Sequence, residues 1–314
     1  MQINGWARGF VFGIFLGVPV LAHADFYVAN GDVVGLVGQS GSVINGSFIA
    51  VNGATGLAFG PDGNLFVGSP TFSFFNGAGI GVFNPVTGAA IGTFVDHVGD
   101  NALNNPQGLA FQNGNLYVAD GTAGNVFVYN QSGTHINTLS DPALNTPYGL
   151  TFGPSGTLYV ADIGQGNVLS YNGTSFTRVN SQPGVLTAAR DVSVGHDGNL
   201  YVLDASGTGG IFKVSLTDGS AQKIIDYSTS SFFAANLIVG SDGFLYVTGQ
   251  DNNEGEILRY ATDGTGGNVF ADLGFGSNPS YIVESVPEPT VTALALLAAG
   301  FAGARLARSR HRQA

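Results

Sequence analysis

One phrase recurs five times along this 314-residue chain, and its spacing limits the fold more than any other feature. It reads Gly56-Leu-Ala-Phe-Gly-Pro-Asp-Gly-Asn-Leu-Phe-Val67, then Gly108-Leu-Ala-Phe-Gln-Asn-Gly-Asn-Leu-Tyr-Val118, then Gly149-Leu-Thr-Phe-Gly-Pro-Ser-Gly-Thr-Leu-Tyr-Val160. Asp191 to Val202 and Leu237 to Val247 are looser copies. Starts fall 41 to 52 residues apart, the period of a four-stranded propeller blade and longer than that of most helical solenoids. Each copy predicts two strands around a tight turn whose Asp-Gly, Asn-Gly or Ser-Gly supplies positive φ. Third strands are expected over Asn125 to Tyr129, Asn167 to Tyr171, Gly210 to Val214 and Glu256 to Tyr260, each followed by a more polar fourth.

Small and large residues alternate in the first strand of each copy, Gly108 and Ala110 against Leu109 and Phe111, as a strand near a narrow axis requires. The second strand, Leu116 to Ala119, is apolar on both faces and suits a position between neighbouring blades. Asp25 to Asn30 matches a second strand, so the first blade begins one strand late. Pro279 to Val283 matches the missing first strand. Joining the two predicts an all-β, six-bladed propeller over 25–285, closed by its N- and C-terminal strands.

Composition agrees with a β protein that must hold itself together without covalent staples. There is no cysteine, which excludes disulfides, thiolate zinc sites and a cysteine nucleophile. Charged residues make up only 10%, and the 49 glycines serve turns. Residues 25–289 hold five basic and 21 acidic side chains, a net −16. Nucleic acid is therefore not an expected partner, since its binding rests on Lys and Arg neutralising phosphates.

Both ends read as addresses. Arg8, an apolar run from Gly9 to Ala22 and the small-residue site Ala22-His23-Ala24 predict a signal peptide over 1–24, removed by signal peptidase. At the other end, 286–314, Val286-Pro287-Glu288-Pro289 precedes an apolar run over 290–304 and then Arg305, Arg308, Arg310 and Arg312. Fifteen helical residues span about 22 Å, short of the roughly 30 Å hydrocarbon core unless the arginines snorkel. The basic cluster would stay on the cytoplasmic side. This order resembles the PEP-CTERM sorting signal of Gram-negative bacteria. The resemblance implies recognition by an exosortase, a transient transmembrane anchor in the inner membrane, and delivery to the cell surface, the biofilm matrix or the medium. The repeats themselves resemble the NHL family of six-bladed propellers, in Tyr117 to Val128 and Tyr159 to Leu169 above all. Blade two departs from that pattern, with Gly68-Ser69 in place of the Asp and an insertion from Thr71 to Gly77.

Three groups of residues are candidates for chemistry. Asp120, Asp162 and Asp204 end second strands on one face, with Asn30 equivalent in blade one, and such a ring could hold Ca2+. The simpler reading is that each Asp caps its own loop through backbone N–H groups. Asn52, Asn105, Thr146, Arg190, Asn236 and Asn278 precede the inner strands and predict a polar ring at the axial mouth, where a propeller offers a concave ligand site. Arg190 could clamp a carboxylate or sulfate, or pair with Asp191 or Asp226. His97, His135 and His196 fall on different parts of their blades and predict no shared metal site. Gly77-Ala-Gly79-Ile-Gly81 is expected to be a loop, and Asp251 to Glu256 an acidic one.

No nucleophile elbow, zinc-protease helix or phosphate loop occurs. The expected function is non-catalytic binding of exopolysaccharide or a surface protein, with no catalytic residue assigned and no cofactor beyond the possible Ca2+. Two alternatives stand beside it. One is a metal-dependent lactonase of the gluconolactonase type, or a lyase. The other is a structural matrix protein without a specific ligand. The early channel glutamate of the lactonases has no counterpart, because the glutamates are Glu254, Glu256, Glu284 and Glu288.

Overall fold

A computed structural model describes residues 25–72, 77–96, 103–207 and 209–285. The segment 1–24 with its Ala22 and Ala24 site, the segment 286–314 with Pro287, Glu288 and Pro289, and His97 lie outside the described residues. Among the described residues no helix is long and apolar enough to cross a membrane.

Twenty-four strands make six antiparallel sheets of four. Blade one contains β1 (Phe26–Asn30), β2 (Val33–Val37) and β3 (Val43–Ala50). Blade two is β4 (Leu57–Phe59), β5 (Leu65–Phe72), β6 (Gly77–Phe83) and β7 (Ala90–Val95). Blade three is β8 (Pro106–Gln112), β9 (Asn115–Asp120), β10 (Asn125–Tyr129) and β11 (His135–Leu139). Blade four is β12 (Pro147–Phe152), β13 (Leu158–Asp162), β14 (Asn167–Tyr171) and β15 (Phe176–Arg178). Blade five is β16 (Ala189–Val194), β17 (Leu200–Asp204), β18 (Gly210–Val214) and β19 (Ala221–Asp226). Blade six is β20 (Phe233–Val239), β21 (Leu245–Asp251), β22 (Glu254–Tyr260) and β23 (Asn268–Phe275), after which β24 (Pro279–Glu284) returns to blade one.

The sheet order β24-β1-β2-β3 closes the ring as the repeat predicts. Phe26 pairs with Glu284, Tyr27 with Val283 and Val28 with Ile282. Ser285 N–H donates to the Asp25 carbonyl at 2.8 Å. The Glu284 carboxylate then accepts from Ser241 N–H at 2.6 Å, Ser241 Oγ at 2.7 Å and Gln39 Nε2 at 3.1 Å, tying a turn of blade six to blade one.

Burial follows from the two-sided apolar strands. Leu116, Val118 and Ala119 of β9 are all buried, as are Leu158 through Asp162 of β13. Each sheet shares a core with the next, for example Ala58, Phe66 and Ile80 with Leu109, Leu116 and Phe127. The turns use the expected geometry: Asn113 and Gly114 have φ of 50° and 78°, a two-residue hairpin.

Two expectations are corrected. Gly77 to Gly81 is strand β6 and not a loop, because Ala78, Ile80 and Val82 alternate with the glycines and are buried against the neighbouring blade. Asp251 to Glu256 is a tight hairpin: Asn252 and Asn253 take φ of 48° and 72°, and Asp251 pairs directly with Glu254. Asn tolerates that backbone because its short polar side chain bonds locally.

Inner strands approach so closely that Gly108 has no room for a side chain: a Cβ there would lie 2.5 Å from the Tyr148 carbonyl oxygen. Gly108→Ala should therefore destabilise the ring by about 1–3 kcal/mol. In a domain of this size that lowers the thermal midpoint by roughly 2–10 °C, measurable by scanning calorimetry.

Candidate functional site

The face on which the second strands end is built from carboxylates that organise backbone. Asp120 Oδ2 accepts from the N–H groups of Asn104 (2.7 Å) and Asn105 (3.0 Å), and its Oδ1 from Thr122 (3.1 Å) and Ala123 (2.9 Å). Asp162 receives Asn145, Thr146 and Gln165 N–H in the same way. Asp204 receives Thr187, Ala188 and Ser206 N–H. All three are buried and sit in three separate blades. In blade one Asn30 Oδ1 accepts from Asn278 N–H at 2.6 Å. In blade two Ser69 Oγ donates to the Asn52 carbonyl at 2.5 Å. Five blades thus fasten the loop before the inner strand with a polar side chain from the second strand. Among the described residues no group of three or more His, Asp or Glu side chains is placed to hold a metal ion. His135 begins β11 and bonds Thr138 Oγ1, while His196 lies in the β16–β17 turn.

Pairing aligns Pro106, Pro147, Ala189, Ala234 and Pro279 opposite Asp120, Asp162, Asp204, Gly249 and Asn30. Two residues further along each inner strand lies one layer of the axis: Gly108, Gly149, Asp191, Asn236 and Tyr281, with Gly56 from blade two. Three blades contribute no side chain to this layer, and the other three contribute polar ones. A Cβ at Gly149 would overlap the Asp191 carboxylate, so that glycine is the space the carboxylate needs. Asp191 accepts from Asn236 Nδ2 and from Leu237 N–H at 2.8 Å, and Asn236 Oδ1 accepts from Ile282 N–H at 3.0 Å. A side chain of one blade thereby bonds the backbone of the next. Tyr281, also buried, has its hydroxyl pushed above the usual tyrosine range by burial first and by Asp191 second, while the Leu109 N–H acts the other way.

Asn236 is consequently not a mouth residue. It is 2% exposed and held at both ends of its amide. The layer one residue nearer the loop face is Thr55, Gln107, Tyr148, Arg190, Ala235 and Ser280. Of the six candidates for the axial mouth, Arg190 lies in this layer, and Asn52, Asn105, Thr146 and Asn278 lie just before the inner strands. Asn105 accepts from Gln107 Nε2 at 2.6 Å, Thr146 Oγ1 donates to Asn145 at 3.1 Å, and Asn52 and Asn278 are exposed on the preceding loops. Arg190 pairs with neither Asp191 nor Asp226. Its guanidinium stacks 4.7 Å from the Tyr148 ring centre and donates from Nη2 to Tyr148 Oη at 3.0 Å. Its Nε is buried without a protein partner. Tyr148 and Gln107 carried a signal that sequence reasoning passed over: they stand immediately before the glycine of their copies, in register with Arg190.

No protein-family model and no curated protein matches the sequence significantly. Solved structures share its shape. A chain of the nidogen/laminin complex aligns with a TM-score of 0.68 at 15% identity, over 84% of this chain and 99% of that one. Virginiamycin B lyase from Staphylococcus aureus gives 0.53 at 15%, over 76% and 71%. A protein described as a putative gluconolactonase gives 0.55 at 19%, over 76% and 82%. At these identities the likeness is one of fold alone.

Desolvation pushes the Asp191 carboxyl from its ordinary 3.8 up to about 7, against the pull of the Leu237 and Val192 N–H groups and Arg190. A carboxyl raised in the folded state binds its proton more tightly there than in the unfolded chain. That contribution is complete below about pH 4 and is lost as pH rises through about 7. Relative to Asp191→Asn, the wild-type thermal midpoint should fall by on the order of 10 °C between pH 4 and pH 8. Parallel midpoint curves for the two proteins would show that Asp191 ionises normally.

Proposed function

We propose that this chain is an exported, non-catalytic binding propeller, delivered by exosortase-type sorting, which holds exopolysaccharide or a surface protein through its loop face. The observation that carries this reading is the state of the loop-face carboxylates. Asp120, Asp162 and Asp204 each spend their oxygens on three or four backbone N–H donors, so a metal ion would have to displace the bonds that hold the loops. What the face offers is shaped loop backbone, small polar side chains and the Arg190 guanidinium stacked on Tyr148. Such groups recognise hydroxyls and carboxylates without needing to transform them. Support for export and sorting comes from the Ala22-His23-Ala24 site and from Pro287-Glu288-Pro289 with the apolar run and basic cluster behind it.

The lactonase and lyase propellers of similar shape keep an enzymatic reading as the alternative, and one experiment separates the two. Thermal midpoints of residues 25–285 are measured with EDTA and then with millimolar Ca2+, Mg2+ or Zn2+, since a ligand bound only by the folded state raises the midpoint. The expected outcome is a change below about 1 °C with every ion, together with no turnover of sugar lactones. A rise of several degrees, or turnover abolished by Arg190→Ala, would overturn the non-catalytic reading. An exopolysaccharide and surface-protein screen that returned nothing would favour the structural matrix role. Deletion of 286–314 is expected to leave the body in the periplasm, which cell fractionation reads directly.

A further inference from the structure

Blade six breaks the rule the other five obey. Where they place Asn30, Ser69, Asp120, Asp162 or Asp204 to fasten the loop before the inner strand, blade six has Gly249. The space is taken by the Phe233 carbonyl and the Phe232 ring: a Cβ on Gly249 would meet the Phe233 carbonyl oxygen and would lie 2.5 Å from Phe232 Cζ. Phe232 and Phe233 stand where blade five has Thr187 and Ala188, whose N–H groups Asp204 fastens. Here the loop is held instead by Ser230, whose Oγ accepts Phe232 N–H at 3.0 Å and whose own N–H donates to the Tyr227 carbonyl at 3.0 Å. Phe232 is thereby buried, and Phe233 is turned outward and is 78% exposed.

A single exposed phenylalanine is ordinary on a protein surface. Phe233 differs because it lines a cavity of about 260 Å³ on the loop face, between the loop after β17 and the loop before β20. Tyr227, Phe232 and Phe233 supply its aromatic side, and Ser206, Ser228 and Ser230 its hydroxyls. Its one charged lining residue, Asp204, and the adjacent Asp226 and Lys223, which do not line it, are already bonded within the protein. Asp204 is filled by backbone N–H groups, and Asp226 accepts Ser228 N–H at 3.0 Å and pairs with Lys223 at 3.4 Å. Lys223 also reaches the Gly209 carbonyl at 3.4 Å. A ligand recognised here should be uncharged, with an apolar face for the ring and several hydroxyls for the serines and loop carbonyls. That is the chemistry of a neutral pyranose.

We propose that this cavity is a subsite for a neutral hexose unit of a polysaccharide, stacked on Phe233 and hydrogen-bonded by Ser206 and Ser230. The proposal rests on the binding function proposed above and specifies its ligand class and site. The test uses residues 25–285, whose ring closes on itself through β24 and β1. Immobilised neutral glucans, mannans and galactans are presented beside a polyuronate and a panel of peptides, and binding is followed by interferometry. Wild type is expected to bind at least one neutral polymer. Phe233→Ala should weaken that binding tenfold or more, about 1.4 kcal/mol, and Phe233→Trp should keep it. Ile136→Ala, an exposed apolar residue of β11, should change nothing. Phe233 is exposed, so its variants should fold, and equal thermal midpoints will show it. Neutral-glycan binding that survives Phe233→Ala overturns this subsite and leaves the binding function standing. Binding of the polyuronate or of peptides alone overturns the neutral-sugar assignment. Binding of nothing overturns both.

Discussion

One pair of strands decides whether this molecule is a ring or an open fan. The chain has no cysteine to fasten its ends, so closure depends on the ladder between β24 and β1 and on the Glu284 carboxylate that reaches both Ser241 and Gln39. Without that ladder, β24 would be an unpaired strand and β1 an exposed sheet edge. The axial layer depends on it as well. β24 places Tyr281 in that layer and offers Ile282 N–H to Asn236, which in turn bonds Asp191. Closure and the packing of the axis are therefore one arrangement.

That arrangement is asymmetric although the repeat is regular. Gly56, Gly108 and Gly149 let three inner strands pack against one another's backbone, while Asp191, Asn236 and Tyr281 fill what remains from the other side. A buried carboxyl in such a place is costly unless it is protonated or fully bonded. Asp191 has two neighbouring-blade donors in Asn236 and Leu237, and desolvation still outweighs them.

The blades, their order and their closure were legible in the sequence because a strand's apolar pattern and its turn residues are local. Gly-Leu-Ala-Phe followed by Asn-Gly and Leu-Tyr-Val carries its own period and its own turn. What was misread depended on partners. Gly77 to Gly81 looks like a loop until β5 and the buried Ala78, Ile80 and Val82 are seen beside it. Asn236 precedes an apolar run just as Asn105 precedes Pro106, but the register sets it three positions deeper, level with Gly108 and next to Asp191. The exchange of Asp for Gly at 249 is visible in an alignment of the copies. Its meaning is not, because it depends on where the Phe232 ring goes.

Order of synthesis gives the closing strand a further consequence. β1 is among the first described strands to be made and β24 is the last, so the two meet only after every blade between them exists. Until then blade one has three strands, and Tyr281 and Ile282 are missing from the axial layer. Contacts of such long sequence separation form late and slowly. Closure of the ring therefore waits on residues 279–284, the last of the described strands to be made.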